Sequence, residues 1–146
     1  MLTMKRQAYL DLLEKQREEL NNFPIAYAFD EKQLEVALEK LGAKKEECVT
    51  IFGHGDIVKK ENAPKFLAML KRHTQEVKDL ILNDKDIAEA AFLYEMDNHE
   101  YAINYDGDDD VLSCFSMSFD DLQEAGLMDA YRRARNAHMK HAEEWM

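Results

Sequence analysis

Few side chains in this sequence combine the residue type and the spacing that chemistry asks for. Glu95 and His99 are four residues apart, so on a helix they share one face, as two metal ligands would. A catalytic zinc needs about three protein ligands and an open position. One pair is therefore not a site, and a helix-end contact for His99 is the simpler reading. Gly53-His54-Gly55-Asp56 has the look of a phosphate loop. It lacks the P-loop spacing and its Lys-Ser/Thr, and a strand pattern rather than a helix follows it, so the two glycines read as a hairpin tip. Asp106-Gly-Asp-Asp-Asp110 suggests calcium. Counted from Asp106, the EF-hand glycine position holds Val111 and the bidentate-glutamate position holds Met117; counted from Asn104, they hold Asp109 and Phe115. Neither register works. Ser113, Ser116 and Ser118 lack a nucleophile-elbow context, and Cys114 sits in an apolar-periodic stretch, where it reads as core. Cys48 and Cys114 match no ligand spacing and read as thiols of a reducing compartment. No metal and no cofactor is assigned. A metal-binding or hydrolytic alternative would centre on His54, His99 and Glu100.

The elements that position these residues follow from periodicity and end signals. Residues 4–20 carry the helical stripe Tyr9, Leu10, Leu13 and Leu20. Pro24 stops that helix and opens Phe23-Pro-Ile-Ala-Tyr-Ala-Phe29, where large and small residues alternate as on a strand whose small face lets a helix pack close. Asp30 and Gln33 form a capping-box pattern for a helix over 31–41, closed by Gly42. Residues 48–52 and 56–59 flank the glycine turn as a hairpin. A helix over 64–82, with Asn62 as its cap and Pro64 in its first turn, directs Phe66, Leu67, Leu70, Val77, Leu80 and Ile81 inward. Another runs from Asp86 to about His99. Tyr101–Tyr105 alternates and favours an added strand over a helical continuation. Val111, Leu112 and Phe115 face inward from a short helix over 108–116, Ser118 and Asp121 cap the next, and residues 127–146 form an amphipathic helix containing Tyr131, Ala134, Met139 and Trp145. The expected fold is α+β: a single domain over 1–146, with a small three- to four-stranded antiparallel sheet packed by five or six helices.

Charge supplies the clearest functional feature. The 146 residues contain 30 carboxylates and 19 Lys+Arg, a net charge of -11. That balance argues against direct nucleic-acid or anionic-membrane binding. No apolar run reaches the ~20 residues of a membrane span, and the N-terminal segment lacks the pattern of a signal peptide. Residues 84–124 hold thirteen acids and one base, Lys85, so this stretch alone carries -12. Such a run is most simply a solvated face. The functional alternative is a recognition surface for a basic protein, in which Asp106, Asp108, Asp109, Asp110, Asp120 and Asp121 attract and exposed Tyr101 and Tyr105 anchor.

Phe23-Pro-Ile-Ala-Tyr-Ala-Phe29 before a capped helix, the Gly53-His-Gly-Asp-Ile-Val-Lys-Lys60 hairpin and Asp97-Asn-His-Glu-Tyr101 together resemble a known family over about residues 20–125. These are small acidic proteins of uncharacterised function encoded by Firmicutes, their prophages and other mobile elements. The resemblance implies an accessory protein of the bacterial cytoplasm and transfers no catalytic residue. It suggests a non-enzymatic binding protein, in its narrower form an anti-CRISPR or other anti-defence inhibitor whose acidic face occupies a partner's nucleic-acid-binding groove. A third reading makes the protein a structural or regulatory subunit that docks, or forms a homodimer, through the C-terminal helix.

Overall fold

The computed structural model describes residues 2–145. Along the chain come α1 (Leu2–Asn21), β1 (Ala26–Tyr27), α2 (Glu31–Leu41), β2 (Cys48–Val49), β3 (Asp56–Lys59), α3 (Ala63–Asn83), α4 (Lys85–Asn98), α5 (Gly107–Ser113), α6 (Phe119–Glu124) and α7 (Met128–Trp145). Short 3-10 turns at Lys45–Glu47 and Lys60–Asn62 precede β2 and α3. The class is α+β, with three strands and seven α-helices among the described residues. Seven helices exceed the expected five or six, although each of them, the two short ones over 107–124 included, coincides with a segment that the sequence marks as helical. The chain clusters into two compact units, Arg17–Arg72 and the described residues of Met1–Gln16 with His73–Met146.

In the unit Arg17–Arg72 the strand order is β1-β3-β2, antiparallel throughout, with Ala26 opposite Ile57 and Val49 opposite Val58. The alternation in 23–29 survives, but only two of its residues pair as strand. Its small face is the buried one. Ala26 packs with Ala37 and Leu41 of α2 and with Ile57, while Tyr27 and Phe29 remain in water. A face of alanines lets the α2 backbone approach closely, as a face of aromatics would not. Asp30 caps α2 by accepting from the Gln33 N–H at 2.7 Å. The Gln33 side chain accepts from the Phe29 N–H at 2.8 Å, one residue earlier than a standard capping box requires.

The hairpin connection owes its shape to Asp56. This carboxylate is 2% exposed and accepts from the backbone N–H groups of Ile51 (2.6 Å), Phe52 (3.1 Å) and His54 (3.2 Å). Gly55 turns the chain at φ +85°, and a Cβ there would lie 2.9 Å from the Ala28 carbonyl oxygen. His54 is exposed at the tip. In α3, Phe66 and Met69 are buried, and Phe66 meets Phe23 and Phe52 edge-on. Leu67, expected inside, is half in water, because Met69 and not Leu67 continues the Phe66 face.

The other unit holds the larger core. Phe92 stacks edge-on with Phe115 and Tyr131, and Phe115 also meets Tyr9 of α1. Val77, Ile81, Met96, Val111, Leu122 and Leu127 fill the space around them. Ala88 and Ala91 of α4 and Ala130 and Ala134 of α7 are all buried, so these two helices approach closely. The α7 face formed by Ala130, Tyr131, Ala134, His138 and Ala142 is thereby consumed by the core. Docking through this helix would have to use its outer side. Met146, and the side chain of Trp145, lie outside the described residues.

Tyr101–Tyr105 is neither strand nor helix. The chain leaves α4 through Glu100 at φ +52° and turns, with the Ile103 N–H bonded to the Glu100 carbonyl. The alternating large residues do not share a face: Tyr101 folds inward while Ile103 and Tyr105 point to solvent. The fourth strand is thus absent among the described residues. No helix of the described residues is long and apolar enough to cross a membrane.

Candidate functional site

Two polar neighbourhoods form around the C-terminal end of α4, both within one unit. The first is built by a helix end and a helix cap. His99 is the C-cap of α4, its N–H bonded to the Glu95 carbonyl at 2.9 Å, which stacks the two side chains one turn apart. Cys114 is the C-cap of α5, held by its N–H on the Val111 carbonyl at 3.1 Å. The fold brings Cys114 Sγ to 3.4 Å from His99 Nε2. One ligand atom each from Glu95, His99 and Cys114 lies within 4.8 Å of the others. Glu95 is 7% exposed; His99 and Cys114 are half-buried. Burial and the neighbouring Glu95 carboxylate push the Cys114 thiol up to about 12. Burial, reinforced by Glu95, also drives the Tyr9 phenol well above its ordinary value. The Cys114 thiol donates to the Asp110 carbonyl at 3.4 Å. A thiol held so firmly in its protonated form is a poor nucleophile, so the cluster does not resemble a cysteine–histidine catalytic pair.

On the same stretch of α4, Asp97 meets α7. Its carboxylate lies 2.6 Å from His138 Nδ1 and 3.2 Å from His141 Nδ1. His138 is fully buried, and its Nε2 accepts the Ala102 N–H at 3.0 Å. An accepting Nε2 places the ring proton on Nδ1, facing Asp97. The group ties the loop after α4 to α7 and is a structural polar contact.

The second neighbourhood is the acidic segment, and the structure divides its members. Asp108 is half-buried and accepts from the hydroxyls of Tyr101 (2.7 Å) and Tyr131 (2.6 Å). Burial and then this carboxylate raise both phenols above their ordinary value. Tyr101 is therefore half-buried, its ring edge-on to His138. Asp110 accepts from Asn104 Nδ2 at 2.6 Å. Asp121 closes a reciprocal capping box with Ser118, whose backbone N–H and side-chain hydroxyl hold its carboxyl below the usual range. Asp106, Asp109 and Asp120 are exposed. Tyr105 is fully exposed and Ile103 is 70% exposed.

The residues of the metal alternative separate. His99 lies in the cluster, Glu100 projects into solvent beyond the end of α4, and His54 belongs to the other unit. Glu95 was visible from its spacing to His99. Cys114 was not, because nothing in a single sequence sets the end of α5 beside the end of α4.

A family model matches residues 8–136 of the 146. The chain belongs to the family of unknown function DUF7659. The match spans the larger core, the three-stranded sheet, the trio Glu95, His99 and Cys114 and the acidic segment, and it ends before His138 and His141. No curated protein matches the chain, and no solved structure does.

Proposed function

We propose that this member of DUF7659 is a non-enzymatic binding protein that engages a basic protein surface through the loop between α4 and α5. The observation that carries this reading is Tyr105, a fully exposed aromatic beside exposed Ile103, in a loop bordered by the exposed acids Glu100, Asp106 and Asp109. A lone exposed aromatic costs solvation and makes no contact within its own fold, whereas at an interface it is the residue type that anchors binding. The acids around it supply the attraction that brings a Lys/Arg-lined surface into register. Asp120 on α6 adds a further exposed charge. Asp108, Asp110, Asp121 and Tyr101 contribute by holding the loop and its neighbours in shape. In its narrower form the partner is the nucleic-acid-binding groove of a nuclease or other DNA-binding protein, where the acidic loop would stand in for phosphates, as an anti-defence inhibitor of phage or mobile-element origin does.

The test uses the immobilised full chain against a bacterial lysate in low and high salt, alongside a variant combining Tyr105→Ala with Asp106→Lys, Asp109→Lys and Asp120→Lys. Support consists of a retained basic protein that elutes with salt, is displaced by added DNA and is not retained by the variant. Retention by the variant equal to that of the unmodified chain overturns the reading.

A further inference from the structure

We propose that Glu95, His99 and Cys114 form a binding site for a divalent cation of the zinc class, with the fourth coordination position open to water or to a ligand. The donor set defines the class. A thiolate, an imidazole and a carboxylate suit Zn²⁺ and its first-row neighbours, whereas Mg²⁺ and Ca²⁺ prefer oxygen alone. The geometry agrees with that choice. Tetrahedral zinc with Zn–S near 2.3 Å and Zn–N near 2.05 Å leaves sulfur and nitrogen about 3.5 Å apart. Cys114 Sγ and His99 Nε2 are 3.4 Å apart. The carboxylate of Glu95 lies within 4.8 Å of both, so a side-chain rotation of about 1 Å completes the third edge. Among the described residues this is the one group of three or more such ligands whose donor atoms converge in this way.

Preorganisation strengthens the case. Glu95 and His99 are fixed one helical turn apart by the last hydrogen bond of α4, and Cys114 by the last of α5. Glu95 is anchored in the core, while the half-buried His99 and Cys114 leave the centre reachable from solvent. Three protein ligands plus a free position is the arrangement of zinc sites that bind an exchangeable fourth ligand; closed structural sites use four. On metal binding the thiol proton passes to solvent and sulfur coordinates as thiolate. This site is independent of the acidic loop, and either can fail without the other.

Cobalt(II) is the probe, because a cobalt–thiolate bond produces an intense near-ultraviolet charge-transfer band that carboxylates and imidazoles do not. The full chain, reduced and stripped of metal, should bind one cobalt per molecule with that band, and zinc should displace it. Cys48→Ser should leave the band intact. Cys114→Ser should abolish it, with circular dichroism showing the fold retained, and His99→Gln should weaken zinc binding by more than the ~10–100-fold that loss of an outer-shell partner costs. No saturable cobalt or zinc binding by the unmodified chain overturns the proposal and leaves the trio a hydrogen-bonded core contact. Cobalt binding without the thiolate band, or a band that survives Cys114→Ser, overturns it equally, assigning the metal to surface carboxylates or to Cys48.

Discussion

Asp108 looks from its sequence context like one more surface charge, yet it carries two tyrosine hydroxyls, those of Tyr101 and Tyr131. Asp108→Ala strands both donors in a largely apolar setting, and the loss should amount to about 2–3 kcal/mol in urea unfolding; Asp109→Ala, at an exposed position, should fall within about 0.5 kcal/mol of the unmodified chain. Cys114 yields a kinetic expectation. With its thiol raised from 9.0 to about 12, the thiolate fraction at neutral pH falls ~1,000-fold, and alkylation slows in proportion. Peptide mapping after brief iodoacetamide treatment of the metal-free chain should find Cys48 labelled before Cys114; the reverse order would contradict the burial argument. The same group, with Tyr9 and Tyr131, sets an alkaline limit. Their folded values all lie above the unfolded ones, so the unfolded chain surrenders these protons first and rising pH favours it. Stability from these groups is full below about pH 8.5 and drains away as the pH climbs toward 12. Urea midpoints at successive pH values between 7 and 11 should therefore decline, and a flat profile would disprove this.

Among the elements, the hairpin β2–β3 depends on one buried carboxylate more than on strand pairing, since β2 contributes only two residues. Burial alone would raise the Asp56 carboxyl, but the backbone N–H groups of Ile51, Phe52 and His54 outweigh it and hold it below the ordinary value. Its contribution is present above about pH 4 and is lost as acid titrates the folded group. Asp56→Ala should cost about 3 kcal/mol, chiefly by orphaning those N–H groups, and amide exchange at 51–54 should accelerate in the variant or in acid. At the start of α5, Gly107 is required by proximity and not by backbone angle. A Cβ there would meet the Tyr101 ring at 2.8 Å and its carbonyl oxygen at 3.0 Å. Gly107→Ala should destabilise by about 1–3 kcal/mol, as overpacking does. Deleting α7 from Ala130 onward removes a helix whose inner face is core, so the expected result is loss of cooperative unfolding and not a change of oligomer mass alone.

For the whole molecule, charge opposes folding and assists encounter. With a net -11 concentrated in residues 84–124, self-repulsion should be relieved by screening over the ~10 Å Debye length of about 0.1 M salt. Raising NaCl from about 0.02 M to about 0.5 M should lift the melting temperature of the free chain and weaken its hold on a basic partner. The opposite signs separate a folding effect from a binding effect in one set of measurements.

The sequence by itself determined nearly every helix, the three antiparallel strands, the caps at Asp30, Ser118 and Gly42, and the location of the negative charge, because these depend on local periodicity and on neighbours within a few residues. It also placed Glu95 and His99 on one face. Only the tertiary structure decided that Tyr101–Tyr105 is a turn, that Asp108 serves two tyrosines and that Cys114 joins Glu95 and His99. Each of these rests on contacts between separate elements, and no spacing along a single chain encodes which elements will meet.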